Sequence, residues 1–250
     1  MRIRTKLFLL SAGVGPVSLL LFSTITSWLA NSTLDDIQGR ALSALNAAQS
    51  ESLAAIRDGL ATTVAEEADA KRRLLSAFAN DLAVGEAAEQ LVAAFPRYTE
   101  QRGYDVEAVA AIRRGVEPYY TDQFAAKYAA ETGGTPDTDG LIAKLSATGV
   151  ALQQAFITSN PNPLGSKEAL TSPDGDDSDY ARVHARFHPM ARDYLQTYGL
   201  YDVFLVDADT GDVVYSVFKE LDYATNLRDG AWATSGLGAT FEAALEAPPG

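Results

Sequence analysis

The chain has 250 residues, a hydrophobic fraction of 47% and a formal net charge of −13. That length suffices for one or two domains with a sizeable core, and the hydrophobic fraction argues against wholesale disorder. The acidic balance argues against nucleic acid as a partner, because no basic stripe is available to neutralise phosphates. The absence of cysteine excludes disulfides and thiol chemistry.

Residues 1–30 are predicted to form a basic cytoplasmic start and a transmembrane signal anchor. Three basic residues in the first six precede the uncharged run Leu7–Ala30, and Asp35 is the first acidic residue. About 20 apolar residues span a bilayer core, and Trp28 suits the interface. The alternative is a cleaved signal peptide, whose apolar core would be shorter, about 7–15 residues. The charge asymmetry predicts a single pass through the inner (cytoplasmic) membrane, with the bulk of the chain extracytoplasmic.

Residues 31–159 are predicted to form an extracytoplasmic helical region. Apolar residues recur every three or four positions from Leu34 to Leu82, which is the spacing of a helix with one apolar face. That face could pack on later helices of this chain or on a second subunit, so a homodimer is expected. Shorter helices are predicted within Gly85–Ala130 and over Gly140–Ser159.

Aromatic residues are frequent in the shorter helices of this region. We interpret them as contacts between helices, with a role in ligand binding as the alternative. The residues concerned are Phe95, Tyr98, Tyr104, Tyr119, Tyr120, Phe124 and Tyr128.

A connector rich in Pro, Gly and Asp, Asn160–Asp179, precedes a helix predicted for Tyr180–Tyr198. His184 and His188 are four residues apart and would share a face of that helix, which is a spacing used by metal ligands. They are the only two histidines, and no Glu follows the first in the HExxH manner. We therefore interpret them as packing or capping residues, with Pro189 bending the helix after them.

A β-hairpin is predicted between Tyr201 and Phe218, followed by a loop to Asn226 and a short helix over Ser235–Glu246. β-branched and aromatic residues dominate both strands, and Gly211 can supply the positive φ of a tight turn. The turn sequence DADTGD resembles the start of a calcium loop. Its twelfth position would have to be a bidentate Glu and is Phe218, so the sequence predicts a charged turn.

No catalytic constellation is recognisable in the sequence. A Gly-rich phosphate loop, a GxSxG elbow and a Cys/His cluster are all missing, and two histidines leave few candidates for a nucleophile and its base. We therefore expect neither an enzyme nor a cofactor or metal site in this chain.

Three segments in order carry a resemblance to a known family: Asn160–Lys167 (NPNPLGSK), His188–Leu195 (HPMARDYL) and Gly199–Leu227. They resemble the extracytoplasmic sensor region of bacterial transmembrane receptors, especially methyl-accepting chemotaxis proteins. The resemblance extends over Asn160–Ala244. It implies that residues 160–250 are the start of a Cache/PAS-like sensor domain whose sheet has further strands, so that the chain would be the N-terminal portion of a receptor.

The expected fold class is therefore α+β and predominantly helical. It comprises a transmembrane helix, a long helical bundle or stalk, and an incomplete Cache/PAS-like antiparallel sheet. The second strand, Val213–Phe218, would carry an unpaired apolar edge unless another segment covers it.

The resemblance implies a sensory input region that detects an extracellular or periplasmic signal and passes it across the membrane. Similar regions precede nucleotide cyclases and sensor histidine kinases, which are the alternative outputs; a membrane-tethered helical scaffold without ligand is a third possibility. The expected partners are a small-molecule ligand or a periplasmic binding protein, and the membrane itself.

If a ligand lies beside the sheet, as the resemblance implies, six residues are candidates for binding it. They would bring aromatic faces and opposite charges together, which suits a zwitterionic or carboxylate ligand. For each of them the alternative is ordinary packing or surface exposure. The candidates are Tyr201, Asp202, Tyr215, Lys219, Asp222 and Asn226.

Overall fold

The structure is a computed structural model that describes residues 3–247; for residues 3–22, 25 and 30 it describes the backbone alone. Helix predominates, and two short strands form a small antiparallel sheet, which confirms the predicted α+β class. The α-helices are α1 (Ile3–Ala79), α2 (Leu82–Ala94), α3 (Tyr98–Gln101), α4 (Val106–Pro118), α5 (Ala125–Thr132), α6 (Thr138–Ala143), α7 (Ala147–Gln153), α8 (Asp179–Tyr198) and α9 (Gly236–Glu246). Single helical turns, 3₁₀ or π, lie at Phe95–Arg97, Tyr119–Phe124, Gln154–Thr158 and Lys167–Ala169, and the strands are β1 (Phe204–Val206) and β2 (Val213–Ser216).

The contacts divide the chain into two units, residues 1–73 and 74–250. The described part of the first unit is one uninterrupted helix, the larger part of α1. Its apolar stripe is exposed to solvent, as Leu53 and Val64 show at 68% and 67% exposure. The periodicity therefore predicted the helix, although α1 ends at Ala79 and Leu82 begins α2. The first unit by itself buries none of the stripe.

Among the residues whose side chains the structure describes, no helix combines the length and the apolar character needed to cross a bilayer. The predicted anchor, Leu7–Ala30, falls largely on residues whose side chains are outside the described part of the chain. The anchor stays a prediction from the sequence.

The core of the second unit is built around buried aromatic side chains. Tyr180 on α8 is fully buried and packs edge-on against Phe156 and Tyr98, with ring centroids 5.7 and 5.8 Å apart. Its hydroxyl donates to the carbonyl of Val214 in β2 (2.7 Å) and accepts from the hydroxyl of Tyr223 (2.7 Å). These bonds satisfy the polar atoms that burial of two tyrosines brings into the core.

Most helices of this unit begin at a side chain that accepts a hydrogen bond from the first turn. Such N-caps stabilise a helix start by about 1 kcal/mol, since they satisfy amide groups that have no partner within the helix. The capping residues are Asp81, Asp105, Asp137, Ser146, Ser178 and Ser235.

The hairpin is confirmed, with strands shorter than predicted. β1 and β2 pair antiparallel, with Leu205 opposite Tyr215. Gly211 adopts φ +84°, the left-handed conformation expected of it in the turn.

The free edge of β2 is covered, at least over its first residue, contrary to the unpaired edge expected from the sequence. The Val213 amide donates to the carbonyl of Thr225 (2.8 Å), and the Ala224 amide donates to the carbonyl of Val213 (3.2 Å). All four residues of β2 are buried. The loop after the hairpin therefore pairs with the start of that edge, and the rest of β2 is buried.

The two histidines of α8 are packing residues, as predicted. Their rings stack at 4.5 Å, and both are buried. The Tyr215 hydroxyl donates to Nδ1 of His188 (2.7 Å), whose Nε2–H donates to the carbonyl of Glu168 (2.7 Å). Burial lowers the pKa of His188 to about 3, so its ring is neutral at pH 7. α8 continues through Pro189 to Tyr198, so the proline does not end the helix.

Candidate ligand-binding site

A cleft of about 210 Å³ opens within the second unit, between the helical stretch 119–131 and the chain that follows β2. It is small for a ligand pocket, so it suits a compact molecule. Its walls combine aromatic rings with charged side chains. They are formed by Tyr119, Phe124, Lys127, Tyr128, Glu131, Leu164, Tyr201, Glu220, Leu221, Asp222 and Trp232.

Aromatic rings line the cleft from both sides. Phe124 and Tyr128, one helical turn apart, have ring centroids 5.8 Å apart. Across the cleft, the Trp232 indole N–H donates to the carbonyl of Leu221 (3.2 Å), which fixes the orientation of its ring. The packing interpretation of the aromatic residues is thus confirmed for Tyr98 and Tyr120, which are fully buried. Tyr119 and Phe124 contact the core and also line the cleft, and Tyr128 lines it beside Phe124.

Asp222 is the most unusual group of the cleft. Its Oδ1 is buried and has no hydrogen-bond partner among the described residues. Burial, followed by the negative charges of Asp202 and Glu220, raises the pKa of Asp222 to about 7. A buried acceptor without a partner costs roughly 1–3 kcal/mol. Asp222 therefore lines the cleft with a carboxyl whose enclosed Oδ1 a bound donor would satisfy once the side chain turns that oxygen toward the ligand.

Two further carboxylates and one lysine complete the charges of the cleft. The Tyr201 hydroxyl donates to Oε2 of Glu220 (2.7 Å), and this bond raises the pKa of Tyr201 to about 12. On the opposite wall, Nζ of Lys127 lies 4.0 Å from Oε1 of Glu131. Glu131 and Glu220 against Lys127 give the cleft a net negative formal charge, and ionisation of Asp222 adds to it.

The structure brings two of the six predicted ligand residues to this cleft, Tyr201 and Asp222. Asp202 lies beneath it and holds the end of the hairpin. Its Oδ1 accepts hydrogen bonds from the amides of Val203 (2.6 Å) and Val217 (2.9 Å), and also of Phe218 (3.2 Å). Asp202 is a structural anchor for the backbone in this geometry.

Lys219 and Tyr215 lie in the core and do not line the cleft. Lys219 has φ +58°, an uncommon conformation for a side-chain-bearing residue. Its ammonium group is buried, donates to the carbonyl of Ser216 and lies 4.6 Å from the ring centroid of Tyr215. Burial lowers the pKa of Lys219, and the charge of Asp202 opposes that shift. The predicted pairing of Lys219 with a ligand carboxylate has no geometric support.

Asn226 is also remote from the cleft, because it holds the hairpin turn. Its amide group donates to the carbonyl of Thr210 (3.0 Å) and to Oδ1 of Asp212 (2.9 Å). Of the six predicted residues, two therefore line the cleft, one holds the backbone at the end of the hairpin, two lie in the core and one holds the hairpin turn.

Most of the residues that line the cleft are not among the six predicted ligand residues. Phe124 and Tyr128, like Lys127 and Glu131, are spaced four apart, so a shared helix face could have been recognised. Trp232 and Glu220 carried no local signal, because their place in the cleft depends on which distant helix packs against them.

No protein-family model, curated protein or solved structure matches this chain. The function of the cleft is therefore argued from its geometry and from the resemblance of the sequence.

Proposed function

We propose that this chain is the sensory input region of a bacterial membrane receptor of the methyl-accepting chemotaxis type, and that the cleft binds its small-molecule ligand. The observation that carries the proposal is the buried, unpartnered Oδ1 of Asp222 in the wall of an aromatic cleft. Convergent polar groups in a largely aromatic cleft are typical of ligand sites. The sequence resemblance to receptor sensor regions includes Asp222.

A ligand in this cleft would bridge two segments that are about 90 residues apart in the chain, the helical stretch 119–131 and residues 220–222. Only a ligand that binds one arrangement of these segments more tightly than another can transmit a signal. A ligand that contacts both the stretch 119–131 and residues 220–222 would favour the distance between these segments at which it fits both.

Packed aromatic residues link the hairpin to the end of α1 that belongs to the second unit. Tyr215 of β2 packs on Phe187 of α8 (4.9 Å between ring centroids), and Phe187 lies 6.5 Å from Phe78 of α1. Further along α8, the Tyr194 hydroxyl donates to the carbonyl of Leu74 (2.5 Å). We expect a displacement of the hairpin to reach α1 through these contacts.

Thermal unfolding of the purified full chain, in detergent where solubility requires it, tests direct sensing. The panel holds amines, amino acids and organic acids, and we expect at least one class to raise the unfolding temperature. At a concentration 100 times its dissociation constant, a ligand stabilises by about 2.7 kcal/mol. Trp232→Ala should abolish the shift, whereas Glu242→Gln, an exposed residue of α9, should leave it unchanged. No stabilisation by any compound would favour the scaffold without ligand.

The kind of output is a separate question. Sequencing the gene around the segment that encodes this chain tests the alternatives, since a methylated coiled-coil hairpin, a cyclase domain and a kinase core have different sequence patterns. A kinase core or cyclase domain would replace the chemoreceptor proposal and leave the sensory one in place.

A further inference from the structure

The charges of the cleft favour a cation over an anion. Glu131, Glu220 and Asp222 line it, against one lysine, Lys127. That lysine lies 4.0 Å from Glu131, so its charge is already partly balanced. The cleft thus offers a carboxylate ligand little to bind.

The second candidate cation, Lys219, is unavailable to a ligand. Its side chain is buried, and its ammonium group lies within 6 Å of the ring centroids of Tyr215, Tyr223 and Phe156. These rings, the carbonyl of Ser216 and the charge of Asp202 are the partners of that ammonium group. A carboxylate ligand in the cleft would lie near Glu131, Glu220 and Asp222, and Lys219 would not be available to pair with it.

The aromatic walls suit a cation as well. An ammonium group within about 6 Å of a ring centroid is attracted by the ring face. Tyr119 already makes such a contact inside the protein, since Nζ of Lys167 lies 5.4 Å from its ring centroid. Tyr128 and Trp232 present further rings to the cleft itself.

From this geometry we infer that the cleft binds a compact primary amine, with its ammonium group between Asp222 and Glu220 and its apolar body among Phe124, Tyr128 and Trp232. The inference rests on the proposed function, in which this cleft is the ligand site. A primary ammonium has three N–H donors and can satisfy Oδ1 of Asp222 once the carboxyl turns this enclosed oxygen into the cleft. A quaternary ammonium has no N–H and leaves that oxygen without a partner.

The inference also predicts how the affinity for an amine depends on pH. Because the pKa of Asp222 is raised to about 7, this carboxyl is largely protonated at pH 6 and largely ionised at pH 8. A cation binds the ionised form, so its affinity should rise about tenfold between these two values. Amines with a pKa near that of lysine, about 10, keep their own charge over this range. The titratable groups that face Asp222 or share its cleft are Tyr119, Tyr120, Lys127, Tyr128, Glu131, Tyr201, Asp202 and Glu220.

Calorimetric titration of the full chain with four matched probes tests the inference. The probes are 2-phenylethylamine, its trimethylammonium analogue, 3-phenylpropanoate and phenylalanine, which share one ring and differ in their charged group. We expect 2-phenylethylamine to bind at least tenfold more tightly than each of the others. Asp222→Asn should weaken its binding at least tenfold, Glu220→Gln should weaken it less, and Glu242→Gln should have no effect.

The outcomes separate the two proposals. Tighter binding of 3-phenylpropanoate or phenylalanine, lost in Trp232→Ala, would overturn the amine inference and leave the sensory proposal intact. If none of these probes and no compound of the wider panel binds, both fail. Should Asp222→Asn not fold, the pH dependence of the unchanged protein decides: an amine affinity that stays constant from pH 6 to pH 8 contradicts the inference.

Discussion

The two units of the chain use the same kind of apolar periodicity with opposite results. In the first unit, Leu60 is 62% exposed, and the neighbouring members of its stripe are similarly open. In the second unit, Leu91 of α2 and Leu152 of α7 are fully buried. Helical spacing therefore identifies a face of a helix, but whether that face is buried depends on the presence of a partner.

The second unit supplies such partners from within its own chain. α2 packs on α8, and α4 packs on α7. The described part of the first unit is one helix, which has no second element within that unit to cover its apolar face. Most of the stability of a protein helix comes from tertiary packing, so substitutions in the two units should have very different effects.

The largest effect is expected for Phe156→Ala in the core of the second unit. Phe156 is fully buried and contacts Tyr180, Tyr223 and His184. Its removal should lower the free energy of unfolding by about 3–5 kcal/mol through lost burial and the cavity left behind. Urea unfolding of the full chain, followed by near-ultraviolet circular dichroism, measures it. A loss below 1 kcal/mol would contradict the aromatic core described above.

A smaller effect is expected from the titration of Asp222. Because burial raises its pKa to about 7 in the folded chain, the folded state binds more protons than the unfolded state between about pH 4 and pH 7. This carboxyl therefore lowers the stability as pH rises through that window, by roughly 1–3 kcal/mol. We expect the free energy of unfolding, measured with urea, to fall less between pH 5 and pH 8 in Asp222→Asn than in the unchanged protein. Glu242→Gln should show the same fall as the unchanged protein. If the free energy of unfolding depends on pH in the same way in Asp222→Asn and in the unchanged protein, the Asp222 carboxyl is exposed to solvent and not buried.

Tyr180→Phe should cost about 1–2 kcal/mol, because it removes a single hydroxyl from a packed ring. The carbonyl of Val214 and the hydroxyl of Tyr223 each lose a hydrogen-bond partner in the core. Thermal unfolding compared with Tyr198→Phe, a residue that is 44% exposed, isolates the buried bonds. Equal changes in unfolding temperature for Tyr180→Phe and Tyr198→Phe would contradict the buried hydrogen bonds of the Tyr180 hydroxyl.

The smallest effect on unfolding is expected in the first unit. The double variant Leu53→Ser and Leu60→Ser should change the unfolding of the second unit by less than about 0.5 kcal/mol, since both side chains are exposed. We propose that this stripe pairs with a second copy of the chain, which is one of the two partners that the sequence analysis leaves open for it. The double variant should then weaken self-association in sedimentation equilibrium, and Glu51→Ser, which lies on the opposite side of the helix, should not. Unchanged association in the double variant would remove the stripe from the interface.

Local signals predicted much of the fold. The spacing of apolar residues indicated α1, and the alternation around Gly211 indicated the hairpin. Ser235, as a capping residue, begins α9 where the sequence placed it. These features depend on neighbours in the chain, and the sequence displays those neighbours directly.

The candidate site was predictable only in part, for a physical reason visible at Lys219 and Asp222. These residues are three apart in one loop, yet the lysine is buried against Tyr215 and the aspartate lines the cleft. The left-handed conformation of Lys219 separates them, and lysine carries no sequence signal for it.

The sequence by itself determined the helical character of the chain, the position of the hairpin and the acidic character of its surface. Each follows from composition or from side chains a few residues apart. Tertiary structure alone decided that the loop after β2 covers that strand, that Lys219 is enclosed by aromatic rings, and that Trp232 faces Tyr128 across a cleft. These contacts join segments tens of residues apart, and their geometry is fixed only when the helices pack.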